Sequence, residues 1–203
     1  MPGTVYKHDS MNDIDSPLVL FKKWFEEELA QTNVQIPTAV CLSTIGHDDF
    51  PNARFVSFKE LVDGSFIITG PLNSRKGTEV SQHNKVSLTF WWTATERQVR
   101  VQGIASFIDD ALAEKYFAER GLKSKAVSSI CEQGKEVTDL AQLERQIQNK
   151  IDENPSIDKP KYWSGFSIKP IRMELMEFKK TRFHDRKLFE LVNDRWTMKQ
   201  IQP

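Results

Sequence analysis

The sequence predicts a mainly β fold of the α+β kind, one antiparallel barrel with peripheral helices. Three observations carry that expectation. The middle of the chain consists of short runs rich in β-branched and aromatic residues, separated by turn residues. A polar, helix-patterned stretch from about residue 109 to 151 then interrupts the strands, after which strand patterning resumes to the end. Nothing repeats at a fixed period, so the strands on either side of the helices are expected to close one barrel.

Residues 1–15 read as a flexible arm, rich in Asp, Asn, Ser and Gly, within a boundary set at 16; residues 17–203 read as a single domain. Ser16-Pro17 is a helix start, with serine as cap and proline in the first turn. Leu18, Phe21, Phe25 and Leu29 follow at spacings of three and four, with Trp24 beside them, which predicts one apolar face. Pro37 ends the approach to the strands. Strands are expected at 39–45, 53–61, 65–70, 86–92 and 97–108. His47-Asp48-Asp49 before Pro51-Asn52 marks one hairpin connection and Asp63-Gly64 another. Gly103 falls inside a strand and marks a bulge or kink. Asp109-Asp110 caps a helix running to about Arg120; a second helix spans about 123–133 and a third about 138–151, with a proline-containing linker at 154–160. GFSIKPIRMELMEF, KLFELV and RWTMKQI are the closing strands.

Composition excludes several classes of function. The 203 residues carry 28 Lys+Arg against 28 Asp+Glu, so the chain lacks the basic excess of a dedicated nucleic-acid binder. A small basic pocket for a phosphorylated ligand remains compatible with that balance. No apolar run approaches the roughly 18–20 residues that a spanning helix needs, and the N-terminus has no apolar stretch like that of a signal peptide. Cys41 and Cys131 lie far apart without a CxxC or Cys/His pattern, so reduced thiols, a cytoplasmic location and no metal site are expected.

Four constellations could carry chemistry. Asn73-Ser74-Arg75-Lys76-Gly77 sets a guanidinium, an ammonium and a hydroxyl at a helix start, which suits a phosphate group. An ordinary solvated loop would look the same. Glu96-Arg97-Gln98-Val99-Arg100 enters a strand, where an inward Gln98 could bond a planar heterocycle and an outward one would be a solvated edge. Tyr116 and Arg120 share a helix face, which Ser124 extends if the helix runs through Gly121. Those three form a second phosphate cradle or, equally, a surface pair. Arg182, His184 and Arg186 would point one way in an extended segment, with Asp185 opposite. They would then need an anionic or aromatic partner, or form a basic solvated edge. No GxSxG, P-loop, HExxH or GxGxxG pattern is present.

Taken in order, RFVSFK, NSRKG, ERQVRVQG, YFAER, YWSGF, RFHDR and the tail RWTMKQIQP resemble the pyridoxine/pyridoxamine 5′-phosphate oxidase family over about residues 35–203. The resemblance implies an FMN-binding split β-barrel and a homodimer with flavin sites between subunits. It implies oxidation of phosphorylated B6 vitamers to pyridoxal 5′-phosphate, with O2 reduced to hydrogen peroxide. It assigns flavin contacts to Arg54, Phe55, Val56, Ser57, Lys59, Ile68, Thr69, Gln98, Gln133, Gly134, Met176 and Arg186, with Arg75 and Lys76 on the FMN phosphate. Lys59, Tyr116, Arg120 and Ser124 match the residues that bind the substrate phosphate. Arg182 and His184 match those over the pyridine ring, with His184 a candidate base. The chain departs from the pattern at Met176, where the family has tryptophan, and at Gly134, where it has serine. Glu119-Arg120-Gly121 replaces Ser-Arg-Pro, and Ser124-Lys125-Ala126-Val127-Ser128 replaces Ser-Gln-Ile-Gly-Ala. Those departures keep two alternatives open: a sister flavin oxidase, for example of a phenazine precursor, and a non-catalytic flavin- or pyridoxal-phosphate-binding barrel.

Overall fold

The computed structural model describes residues 16–153 and 156–203; the expected N-terminal arm, 1–15, lies outside the described residues. Helix α1 (Pro17–Gln31) leads into β1 (Ala39–Ile45), β2 (Pro51–Val62) and β3 (Ser65–Pro71). Helix α2 (Arg75–Gln82) precedes β4 (Lys85–Trp92) and β5 (Arg97–Phe107). Helices α3 (Asp110–Ala118), α4 (Leu122–Ile130) and α5 (Leu140–Glu153) follow, and β6 (Trp163–Glu177), β7 (Asp185–Val192) and β8 (Arg195–Gln200) complete the chain.

The strands run β3-β2-β1-β4-β5-β6-β7-β8, and β3 also pairs with β6, which closes β1–β6 into a six-stranded antiparallel barrel. Closure removes the edges of those six strands. β7 and β8 extend β6 beyond the barrel, since β6 is 15 residues long and outreaches its partner β3. The expected irregularity at Gly103 is a register shift in the β5–β6 ladder. Asp63 and Gly64 take positive φ values of 47° and 74°, as a two-residue hairpin turn requires.

The barrel is filled by Val40, Leu42, Leu88, Phe90, Val99, Val101, Met173 and Leu175. Phe21 of α1 closes one end, its ring packed against Phe25, Phe58, Phe66, Phe90 and Trp92 at centroid distances of 4.9–5.8 Å. The apolar face of α1 differs from the expected one. Leu29 is exposed, whereas Glu28 is buried and accepts hydrogen bonds from the backbone N–H groups of Ala94 and Thr95 and from the Thr95 hydroxyl. The carboxylate thereby satisfies three donors of the β4–β5 turn, so it belongs inside. A second apolar cluster outside the barrel joins Ile67, Ile108, Ala113, Tyr116, Phe117 and Trp163, fixing α3 against β3 and β6.

Candidate functional site

One residue from each phosphate-like constellation, Lys76 and Arg120, lines a common cleft of about 350 Å³ with Arg54, Phe55, Val56, Thr69, Gly70, Val127, Ser128, Cys131, Gln133 and Trp163, whereas Lys59, Arg75, Tyr116 and Ser124 are not part of its lining. Strand alternation explains half of it. Arg54 and Val56 pair with Leu42 and Val40 and so share the barrel-facing side of β2. Phe55 and Ser57 face outward, and Phe55 is 74% exposed. On β3, Ile67 and Thr69 face the helices. Ile68 points into the core instead, which leaves only its backbone for a cleft ligand and corrects any side-chain contact there.

A residue that the sequence reading did not single out organises this wall. Glu79 of α2 is fully buried and accepts hydrogen bonds from Thr44 Oγ1 (2.6 Å), Asn52 Nδ2 (2.8 Å), Arg54 Nη2 (2.8 Å) and Arg75 Nε (2.8 Å). Burial alone would push its carboxyl up; the bonds from Thr44, Arg75 and Arg54 outweigh burial and hold it below the ordinary carboxylate range. Arg75 is therefore engaged by Glu79 and, through Nη2, by Asp48, rather than standing free at the helix start. The signal was legible in retrospect: Arg75 and Glu79 are spaced i, i+4 on one helix.

Lys76 is different. It is largely buried, donates to Ser74 Oγ at 3.1 Å and to Gln133 Oε1, and has no carboxylate partner among the described residues. Desolvation, aided by the Arg54 charge, lowers its pKa to about 8. Gly70 makes room for it, since a Cβ there would stand 3.1 Å from Lys76 Cε. Gly134, next to Gln133, takes φ +92° on an exposed turn. Arg120 stacks over Trp163 at 5.2 Å and donates through Nη2 to Ser124 O and Ser128 Oγ. Its Nε is buried without a partner, and burial lowers its pKa. Lys59 is likewise lowered, by burial and then by the Arg120 charge.

Two expectations about the second cradle need correction. Helix α3 ends at Ala118 and Gly121 is the extended cap of α4, so Tyr116, Arg120 and Ser124 do not lie on one continuous helix. Arg120 sits in the connection and touches Ser124 only through its backbone carbonyl. The Tyr116 hydroxyl is not open either: it donates to Glu60 Oε1 at 2.8 Å, and Lys115 Nζ approaches the same oxygen at 3.1 Å.

The remaining candidates form a separate group. Gln98, Met176 and Arg186 are cross-strand neighbours on β5, β6 and β7. Val99 and Val101 fill the barrel, so Gln98 faces outward, contrary to the inward option. Met176 is buried at 9% exposure. Arg186 is held by Glu174 through Nε (3.0 Å) and Nη2 (2.7 Å) and by the Gln202 carbonyl through Nη1. Arg182 and His184 lie in the β6–β7 connection beside Glu96, Phe178, Lys179 and Lys180. That segment is a turn, with Arg182 N–H donating to Lys179 O and Arg182 at φ +67°, so the expected strand-like alternation of 182, 184 and 186 fails. His184 Nδ1 accepts the Lys179 backbone N–H at 3.0 Å, and its ring packs on Phe178 at 4.8 Å. None of this second group lines the first cleft.

A closed six-stranded barrel with a cation-lined cleft beside it, carrying extra strands beyond the closure, defines the split-barrel class. The chain belongs to the pyridoxamine 5′-phosphate oxidase family: residues 25–150 match the family's model of that name, and residues 163–203 match the pyridoxine 5′-phosphate oxidase C-terminal dimerisation region. It is 31% identical to a pyridoxine/pyridoxamine 5′-phosphate oxidase of Nostoc sp., over 98% of this chain and 95% of that one. The corresponding protein of Bacteroides thetaiotaomicron is 33% identical over 92% and 89%. Among solved structures, PhzG from Burkholderia lata, in complex with tetrahydrophenazine-1-carboxylic acid, superposes with a TM-score of 0.87 at 25% identity, covering 93% of each chain. A pyridoxamine 5′-phosphate oxidase-related FMN-binding protein of Nostoc punctiforme shares the fold, with a TM-score of 0.77 at 14% identity over 93% and 98%. Among the described residues no helix is long and apolar enough to cross a membrane.

Proposed function

We propose that this chain is an FMN-dependent oxidase that converts pyridoxine or pyridoxamine 5′-phosphate to pyridoxal 5′-phosphate while O2 is reduced to hydrogen peroxide. The observation that carries the proposal is the pair of desolvated cations in one cleft, Lys76 and Arg120, neither matched by a carboxylate among the described residues. A buried cation is costly until an anion joins it. Two phosphorylated ligands, flavin and substrate, supply one anion each.

Arg54, Lys76 and Gln133 would hold the FMN phosphate, with Arg75 adding its remaining donors and Thr69 and the β2 backbone flanking the ring system. When bound, FMN supplies the two-electron acceptor chemistry. Lys59, Arg120 and Ser124 would grip the substrate phosphate, so that binding energy remote from the reacting carbon orients the ring. We place Gln98, Met176, Arg186, Arg182 and His184 on the cleft of a second copy, because none of them lines the cleft of its own chain and most lie within the region matched to dimerisation. His184 then acts as a donor: with Nδ1 accepting from Lys179, the neutral ring carries its proton on Nε2. Such a group orients and stabilises a substrate oxygen or nitrogen at the ring's far end, rather than removing its proton.

One observation favours a second reading, a sister oxidase acting on a substrate without phosphate: Glu60 already engages the Tyr116 hydroxyl. The test is to purify the protein, record its visible spectrum and measure hydrogen peroxide on adding each phosphorylated vitamer. A yellow protein that makes peroxide and pyridoxal 5′-phosphate supports the first reading. A yellow protein inert to both vitamers moves the assignment to the second. A protein colourless after FMN is supplied refutes flavin binding, and with it both readings.

A further inference from the structure

The β2–β3 ladder carries a register shift between Phe58 and Leu61, where three steps on β2 face two on β3, from Ile68 to Phe66. Phe58 and Leu61 both pack on the barrel core, so the extra residue leaves Lys59 and Glu60 together on the opposite side. Both reach Tyr116: Lys59 Nζ stands 5.9 Å from the ring centroid, and Glu60 takes the hydroxyl. The bonds from Tyr116 and Lys115 hold the Glu60 carboxyl below the ordinary carboxylate range, so it is an anion at neutral pH. A phenol has one proton to donate. With its proton directed to Glu60 in that hydrogen bond, Tyr116 offers an incoming phosphate only lone pairs, and a fixed negative charge stands beside it. Glu119, across from Lys59, adds a second negative charge to the same end.

We propose that Glu60 is a specificity-determining positioning residue: by holding Tyr116 and Lys115 on an internal carboxylate, it weakens the hold on a phosphate dianion at the Lys59–Arg120 end. The site therefore discriminates less between phosphorylated and unphosphorylated substrates than its cations alone would allow. This rests on the reading of that end as the substrate-phosphate site.

The experiment titrates FMN-loaded protein with 4-deoxypyridoxine 5′-phosphate and with 4-deoxypyridoxine, which carry a methyl group where the substrate is oxidised and so leave the flavin oxidised, following the flavin spectrum, and takes the ratio of the two dissociation constants. Glu60→Gln, which removes the charge and keeps the shape, is expected to raise preference for the phosphorylated ligand about tenfold, one charged hydrogen bond's worth. Glu60→Asp keeps the wild-type ratio. Because Glu60 is about half exposed, raising salt to about 0.5 M narrows the difference. A change in folding alone would weaken both ligands and leave the ratio in place. An unchanged ratio in Glu60→Gln, or the same rise in Glu60→Asp, overturns the inference. Lys59→Ala and Arg120→Ala separate it from the underlying reading. If they abolish the phosphate preference while Glu60→Gln does nothing, the reading stands and the inference falls; if they leave the preference intact, both fall.

Discussion

Glu79 is the residue whose loss should cost most, and the geometry gives the size. Its carboxylate is fully buried and receives four hydrogen bonds, of which Arg54 and Arg75 also supply the compensating charge. Glu79→Gln keeps one acceptor oxygen but turns an amide NH2 toward donors and leaves the Arg54 guanidinium without its counter-ion. The Arg75 arm matters least, because its side chain is 58% exposed and solvent screens it. Removing one partner of a buried ion pair costs about 3–5 kcal/mol, which in a chain of this size lowers Tm by about 6–20 °C. The assay is thermal unfolding of the FMN-free protein by circular dichroism, paired with an FMN titration, where we expect about tenfold weaker binding as Arg54 loses its aim. Acid narrows the gap between the two proteins. The folded carboxyl titrates below its unfolded value, so its stabilisation is fully present above the ordinary carboxylate range and lost as pH falls through the lowered value. A drop in Tm below about 3 °C, with FMN affinity unchanged, would refute the view that Glu79 organises the cleft.

Lys76, with its pKa near 8, loses charge as pH rises from about 7 to 9.5, so wild-type affinity for FMN should fall over that range. Lys76→Gln should bind more weakly at pH 7 and show a flatter profile by fluorescence quenching. The same shift has the opposite sign for stability of the FMN-free protein. Between about 8 and the ordinary 10.5 the unfolded chain holds more protons, so Lys76's contribution to stability improves with pH there. Gly77→Ala should cost about 2–3 kcal/mol in a urea titration, because the new Cβ would stand 2.1 Å from the Leu72 carbonyl oxygen with only backbone to yield. His184→Ala should raise KM for the vitamer about tenfold while kcat changes little, the signature of a lost orienting donor; a collapse of kcat with KM intact would restore the role of base.

The barrel was legible because closure depends on features local to the chain: alternating strands, the Asp63-Gly64 turn, and a cap at Asp109 whose carboxylate accepts the Leu112 N–H. The strand boundaries follow the same logic. What escaped the sequence depends on neighbours distant along the chain. Spacing put Tyr116 and Arg120 on one helix face and Ser124 with them only if the helix ran through Gly121; nothing in i, i+4 counting says whether a helix crosses a glycine, and Gly121 here is extended. Periodicity put Leu29 on the buried face of α1, whereas Glu28 won the position because a turn 66 residues later needed acceptors. The extended reading of 182–186 failed for a similar reason: the Lys179–Arg182 turn and the Lys179–His184 bond form only once β6 and β7 pair.

Glu79 and Glu60 show why a carboxylate beside a cation cluster cannot be read from charge alone. Both lie within reach of residues expected to hold phosphate, and both hold their protons weakly. Glu79 is buried behind the cleft wall with both carboxylate oxygens already accepting hydrogen bonds, so it fixes Arg54 while the neighbouring Lys76 keeps its charge toward the cavity. Glu60 is half exposed and shares one oxygen between Tyr116 and Lys115, so it competes with any anion for the same donors. Depth decides the sign. A carboxylate on the far side of a cation orients it toward a ligand, and one on the ligand's side stands in for that ligand. Exchanging the two charges one at a time should therefore move affinity in opposite directions: neutralising Glu79 weakens the hold on FMN, and neutralising Glu60 tightens the hold on a phosphorylated substrate.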